Sequence, residues 1–192
     1  MGRIVVFTSV TLEGVMQAPG RPDEDTRGGF EHGGWATPYA DPAMWEGMGE
    51  AGALLFGRRT YEDLFGFWPN QTNNPFTSVL NDTQKYVASR TLKAPLPWSN
   101  STLLEGDVPE AVSRLKEGSK KDLVVLGSGE LVQTLMSHDL VDEYVLLIHP
   151  IVLGMGRRLF AEGSPTTALH LANTTTTATG VVIATYQRTE GG

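Results

Sequence analysis

The sequence predicts an α/β fold: a mostly parallel sheet with helices on both faces, finished by an antiparallel C-terminal hairpin. Two observations predict it. Short continuous apolar runs alternate along the chain with amphipathic helical patterns, the signature of strands joined by crossover helices. The Thr-rich tail, about Leu169 to Tyr186, reads instead as two strands around a turn at Ala178 to Gly180. The chain has 192 residues, 40% hydrophobic and 19% charged, which suits one domain with a real core over 1–192.

Taken in order, Ile4 to Phe7 is an apolar run typical of a strand covered on both faces. Residues 17–40 are polar, rich in Gly and Pro and without period, which marks a lid, a binding loop or a disordered insert. A helix is expected over Pro42 to Ala51, with Met44, Trp45 and Met48 on one side. Ala53 to Phe56 is a buried strand that runs straight into a turn and helix, GRRTYEDLF. Residues 66–82 read as loop, Lys85 to Ala88 as a strand, and a further strand falls near Thr102 to Leu104. Asp107 and Glu110 have capping-box spacing ahead of a helix that Gly118 stops. Leu123 to Leu126 is a strand ending in Gly127-Ser128-Gly129, followed by a helix carrying Leu131, Val132, Leu135 and Met136. Val141 to Ile148 is a strand leading into the glycine loop PIVLGMGRRLF.

Composition narrows the function. A net charge of −7 leaves no counterion-release drive toward nucleic acid and no attraction to an anionic membrane. The absence of cysteine excludes disulfide scaffolds, thiolate zinc sites and cysteine nucleophiles. The four histidines show no metal-ligand spacing, and no GxSxG elbow is present. The N-terminus reads as a strand and not as an export signal, so a cytoplasmic, soluble protein is expected.

Three strand-end turns are candidate ligand sites. Gly127-Ser128-Gly129 opens a helix, so free amides and a positive dipole converge where an anion is stabilised. The competing reading is a plain tight turn that needs glycine for its backbone angles. Gly57-Arg58-Arg59-Thr60 and Ser89-Arg90-Thr91 add guanidinium groups and hydroxyls at equivalent positions, where open α/β sheets bind ligands. Each arginine taken alone is more often a solvated surface charge. Together they point to a phosphate-rich dinucleotide, with the Arg58/Arg59 and Ser89/Arg90 pairs suiting a 2′-phosphate. Asp41 has two readings: an N-cap ahead of Pro42, or a carboxylate that holds an amidine-like heterocycle beside Trp45 and protonates it. Gly154-Met155-Gly156 is either a tight turn or a loop touching substrate.

These residues together resemble the dihydrofolate reductase-like family that includes the C-terminal reductase domain of riboflavin biosynthesis. The likeness rests on IVVFTSVTLEG, FGRRTYEDL, KYVASRTL and LVVLGSGELVQTLMSHDLVDEYVLLIHPIVLGMGRRLF, in order, from about residue 3 to 187. It implies a three-layer α-β-α fold, NADPH as cofactor, and reduction of a pyrimidine- or pterin-type heterocycle. Cofactor contacts are then implied at Gly57, Arg58, Arg59, Thr60, Ser89, Arg90, Gly127, Ser128, Gly129, Glu130 and Leu131. Asp41 takes the position of the catalytic acid, and Phe7, Glu13, Trp45 and Gly154 those of substrate-binding residues. Glu13-Gly14 departs from the family's usual Asp-Gly, and the long glycine-rich lid fits the riboflavin branch better than a true dihydrofolate reductase. No zinc-deaminase motif accompanies it. Reduction of 5-amino-6-(5-phosphoribosylamino)uracil is the first expectation, with dihydrofolate reduction or a nucleotide-binding module without turnover as alternatives. The resemblance also implies a homodimer.

Overall fold

In the computed structural model, which describes residues 1–189, the apolar run at the N-terminus continues as strand β1 (Ile4–Thr11), buried except at half-exposed Ser9. It runs beyond Phe7 because its polar residues are satisfied inside. The Thr11 hydroxyl accepts the Val15 N–H at 3.0 Å, and the Thr11 N–H donates to the Val15 carbonyl at 2.9 Å.

The remaining strands are β2 (Ala53–Gly57), β3 (Lys85–Ala88), β4 (Ser101–Leu103), β5 (Leu123–Leu126), β6 (Glu143–His149), β7 (Leu169–Thr176) and β8 (Val182–Arg188). They form a mixed eight-stranded sheet in the order β4-β3-β2-β5-β1-β6-β8-β7. Four α-helices accompany it: α1 (Arg58–Phe67), α2 (Pro75–Asp82), α3 (Val108–Gly118) and α4 (Gly129–Ser137). The chain divides into two compact units, one of Met1–Val5 with Gly47–Val141, the other of Val6–Glu46 with the chain from Asp142 onward.

The first unit is the parallel part. β2 pairs in parallel with both β3 and β5, and β3 with β4, in a register that sets Phe56 beside Val87 and Leu54 beside Val124. All four α-helices belong to this unit. Tyr61 of α1, 1% exposed, accepts the Trp98 N–H on its hydroxyl at 3.0 Å, and Phe56 stacks on Trp98 with centroids 6.5 Å apart. Lys85 is fully buried; its Nζ donates to the carbonyls of Leu80, Asn81 and Thr83 and lies 4.9 Å from the Trp98 ring centroid. Its ammonium therefore closes the C-terminal end of α2, and burial pushes its pKa down to about 8 against the attraction of Asp82.

Two expectations in this half of the chain are corrected. Residues 66–82 are not loop throughout: they hold a 3-10 turn at Trp68–Asn70 and helix α2. Asn74 caps α2 by accepting the Phe76 N–H at 2.9 Å, Pro75 supplies the first turn, and Thr77 and Leu80 are buried. The helix expected over Pro42 to Ala51 is instead two 3-10 turns, Pro42–Trp45 and Met48–Glu50. Gly47 divides them at φ +83°, a left-handed conformation that ends a right-handed turn.

The second unit is antiparallel. β6 pairs with β8 and β8 with β7, with a register irregularity between Leu171 and Asn173. Its polar insert, residues 17–40, is ordered by a small apolar cluster of its own, in which Ala18, Phe30 and Trp35 pack with Val15. The Trp35 indole N–H donates to the Gln17 carbonyl at 2.7 Å, and the buried Gln17 side chain donates to the Asp25 and Arg27 carbonyls and accepts the Arg157 N–H. Among the described residues no helix is long and apolar enough to cross a membrane.

Candidate functional site

The candidate cofactor residues all fall in the first unit, where the end of β2, the end of β5 and the end of β3 each give a turn. The β2 and β5 turns are tied together. Ser128 accepts the Gly57 N–H on its hydroxyl at 2.9 Å and donates that hydroxyl to the Leu126 carbonyl at 3.0 Å. The Ser128 N–H in turn donates to the Thr60 hydroxyl at 3.2 Å. Ser128 takes a left-handed conformation, φ 56° and ψ 51°, which lets its amide turn toward Thr60.

Neither α1 nor α4 has a side-chain cap on its N-terminus. The first turn of α1 begins at Arg58 and Arg59, and that of α4 at Gly129, Glu130 and Leu131. What calls for glycine at Gly127 is its left-handed φ of 52°, because a Cβ at either turn would make only ordinary contacts. A Cβ on Gly127 would meet the Thr60 methyl at 3.5 Å, and one on Gly57 would meet the Ser128 Cβ at 3.7 Å. Leu131 itself is buried at 5%, so its side chain serves the core.

The third turn joins through Arg58, which donates from Nε to Glu62 and from its terminal nitrogen to the Thr91 hydroxyl at 2.7 Å. The Ser89 hydroxyl accepts the Thr91 and Leu92 N–H groups and so fixes the turn from within. Arg59 and Arg90 are exposed, and neither enters an ion pair among the described residues. Thr91 lies in a turn the sequence singles out; its bond to Arg58, 33 residues away, has no signal in the sequence.

The candidate substrate residues all fall in the second unit. Trp45 is 41% exposed, with its ring centroid 6.0 Å from that of buried Phe7. Both readings of Asp41 have a geometric basis. Oδ1 accepts the Ala43 N–H at 2.9 Å, the N-cap bond, and Oδ2 accepts the Ala178 N–H at 3.3 Å from the β7–β8 turn. Two further lone pairs of the carboxylate remain for a ligand. The same turn holds the chain ahead of Asp41, because the Thr179 hydroxyl donates to the Tyr39 carbonyl at 2.7 Å. Since that carbonyl can only accept, the Thr177 hydroxyl must donate to Thr179 (2.9 Å) while accepting the Val181 N–H.

Glu13 works through the glycine loop. Its Oε1 accepts the Leu153 N–H at 2.7 Å and the Gly154 N–H at 3.1 Å, with Gly154 at φ +77°. Beside Tyr39, His149 is fully buried, edge-on to Trp35 at 5.2 Å and to Tyr39 at 5.7 Å. Its Nδ1 pairs with the Leu147 carbonyl at 2.8 Å, and its Nε2 has no hydrogen-bond partner. Burial holds its pKa below the ordinary imidazole value, with the Leu147 and Val10 carbonyls opposing. Neither His149 nor the Thr177–Thr179 clasp was singled out as a site residue from the sequence. Among the described residues no group of three or more His, Asp or Glu is placed to hold a metal ion.

Comparison with known proteins fits this arrangement. The model of the RibD C-terminal domain matches residues 3–183. The uncharacterized protein YyaP of Bacillus subtilis is 29% identical over 190 residues, covering 96% of this chain and 94% of that protein. Among solved structures, a putative riboflavin biosynthesis protein from Shewanella sp. PV-4 superposes with a TM-score of 0.73 at 22% identity, over 99% of this chain and 100% of the other. A pyrimidine reductase-like protein from Corynebacterium diphtheriae gives a TM-score of 0.62 at 12% identity, over 98% and 92% of the two chains. A diaminohydroxyphosphoribosylaminopyrimidine deaminase/5-amino-6-(5-phosphoribosylamino)uracil reductase from Thermotoga maritima gives 0.62 at 14%, with 98% of this chain matching 57% of that one. The family match spans both units, and on it the chain belongs to the RibD C-terminal domain family.

Proposed function

We propose that the protein is an NADPH-dependent reductase acting on a pyrimidine- or pterin-type heterocycle, with 5-amino-6-(5-phosphoribosylamino)uracil as the first substrate to test. The observation that carries the reading is the braced pair of uncapped helix N-termini at Gly57–Thr60 and Gly127–Leu131. Gly57, Gly127 and Gly129 carry no side chain in these turns, and the Ser128 bonds to Gly57 and Thr60 hold the two helix starts together. Arg58, Arg59, Ser89 and Arg90 supply charge and hydroxyl groups for a 2′-phosphate.

NADPH, when bound, supplies the hydride. The chain's part is binding, orientation and proton supply. Holding a donor and a planar acceptor in order contributes up to roughly 7–11 kcal/mol toward the barrier. Trp45 offers a ring against which a heterocycle would stack, and Asp41 offers a carboxyl group held by two backbone N–H groups, which in its protonated form would pass its proton to a ring nitrogen and regain one from water. The ordered segment 17–40 acts as the cover that excludes water. Such an enzyme works where reduced coenzyme is abundant, in the cytoplasm.

Asp41 also favours a second reading, because two backbone bonds give it a complete structural role with no turnover. Calorimetry with NADPH, NADH and NADP, followed by NADPH oxidation with aminopyrimidines and pterins, separates the two. The reductase reading expects NADPH to bind more tightly than NADH, with added stability of about 2.7 kcal/mol at 100 times Kd. Binding without oxidation supports the module; no association of either coenzyme at millimolar concentration overturns both.

A further inference from the structure

The turn between β7 and β8 makes more polar contacts than a hairpin needs. The Gly180 N–H donates to the Thr177 carbonyl at 3.1 Å, the Thr177 N–H donates to the Val181 carbonyl at 2.9 Å, and Gly180 has φ +88°. A three-residue loop built on a type I turn and closed by a left-handed glycine is complete with those contacts. The amide of the turn's second residue, Ala178, has no partner in such a loop, and the hydroxyl of the third, Thr179, has no duty there. Both leave the hairpin and meet one short stretch of chain. The Ala178 N–H reaches Asp41 Oδ2 at 3.3 Å, and the Thr179 hydroxyl donates to the Tyr39 carbonyl at 2.7 Å. Asp41 lies between that clamp and its own cap, with extended backbone at φ −149° and ψ 134° and Oδ1 on the Ala43 N–H. The hairpin has the sheet behind it, since β8 pairs with β6 from Val182 opposite Ile148 onward.

We infer that this turn is a positioning element for Asp41: Thr179 holds the chain at Tyr39, and the Ala178 amide sets the plane in which the carboxyl group meets a heterocycle. The inference rests on the reductase reading of Asp41. A carboxylate bonded through Oδ1 alone can still swing about that bond. The second bond, from a segment 137 residues away, fixes its plane and leaves one further lone pair on each oxygen. An amidine-like edge donates two parallel hydrogen bonds, so it pairs well only with a carboxylate held in that plane. Small errors of placement at such a contact are costly to turnover. Ala178 and Thr179 touch Asp41 and the chain beside it, and act on the chemistry through them.

Ala178→Pro removes the N–H that meets Asp41 yet suits the turn, because proline is favoured at that position. Thr179→Val removes the hydroxyl at nearly constant shape, and Thr179→Ser restores it. Each variant is assayed for NADPH oxidation with aminopyrimidines and pterins, and by calorimetry for binding of 2,4-diaminopyrimidine, whose amidine edge probes the carboxylate without turnover. Ala178→Pro and Thr179→Val should each lower kcat and weaken the diaminopyrimidine by about tenfold, with Thr179→Ser close to wild type. NADPH affinity should stay unchanged, because the candidate coenzyme residues fall in the first unit and this turn in the second. On an Asp41→Asn background Ala178→Pro should add no further loss, since the two act as one. Wild-type kcat and probe affinity in Ala178→Pro, beside an impaired Asp41→Asn, overturn the inference and leave the reductase reading standing. A loss that persists undiminished on the Asp41→Asn background marks a structural tie and overturns it too. Full kcat and full affinity in Asp41→Asn, or a wild type that neither turns over nor binds the probe at millimolar concentration, overturn the inference together with that reading of Asp41. Probe affinity decides where no heterocycle is turned over, and Ala178→Pro decides where Thr179→Val fails to fold.

Discussion

Ser128 braces two turns with one hydroxyl, and its removal has a calculable cost. Ser128→Ala deletes the bond to the Gly57 N–H (2.9 Å) and the bond to the Leu126 carbonyl (3.0 Å) at a residue that is 9% exposed. Leaving a largely buried donor and acceptor unpaired costs about 1–3 kcal/mol. The left-handed conformation at φ 56° costs an L-residue roughly 1–2 kcal/mol, but alanine bears that cost as serine does, so it cancels. Ser128→Gly loses the same bonds yet sheds the strain, and should lie about 1 kcal/mol above the alanine variant. For a chain of this size each kcal/mol moves Tm by about 2–4 °C, so at about 2 kcal/mol, the middle of that range, the alanine variant should melt about 4–8 °C low and the glycine variant about half as far. Differential scanning calorimetry of the three proteins, with and without NADPH, measures this. An alanine variant that melts with the wild type, or a glycine variant less stable than alanine, would refute the bracing role.

Other outcomes follow from the same geometry. Asp41→Asn keeps an oxygen for the Ala43 N–H, so its stability should stay within about 1 kcal/mol, while NADPH oxidation falls by about 100-fold or more; undiminished turnover removes Asp41 from the chemistry. Lys85 titrates near 10.5 when unfolded and at about 8 when folded, so the unfolded chain holds the proton through that window. Stability should then rise with pH from about 8 toward 10.5, by up to about 3 kcal/mol, in urea melts; Lys85→Met should abolish the rise. His149 is depressed below 6.5, so its contribution is complete above that pH and is lost as pH falls. Urea midpoints should decline on acidification in the wild type and decline less in His149→Gln.

Much of the sheet was legible because parallel strands are buried on both faces and read as apolar runs, as Ala53 to Phe56 and Leu123 to Leu126 do. The strand-end turns at Gly57–Thr60 and Gly127–Gly129 were legible too, since a strand end followed by glycine and a helix is a local pattern. Helix α2 was not, because Asn74 and Pro75, which start it, are also the residues that mark loops, and two buried side chains are too few for a stripe. Segment 17–40 hid its anchors, as Phe30 and Trp35 follow no period. The clasp on Asp41 was unreadable in principle: Ala178 lies 137 residues away, and nothing in a Thr-rich turn names its partner.

The insert's arrangement separates anchorage from chemistry. Ala18, Phe30 and Trp35 fasten it with Val15, while Asp23, Thr26 and Glu31 stand in solvent between those fixings. Exchange of these outward residues leaves the fastening untouched. A library randomised at such positions, on an otherwise unaltered scaffold, therefore varies the outer surface of the insert while its anchors stay in place.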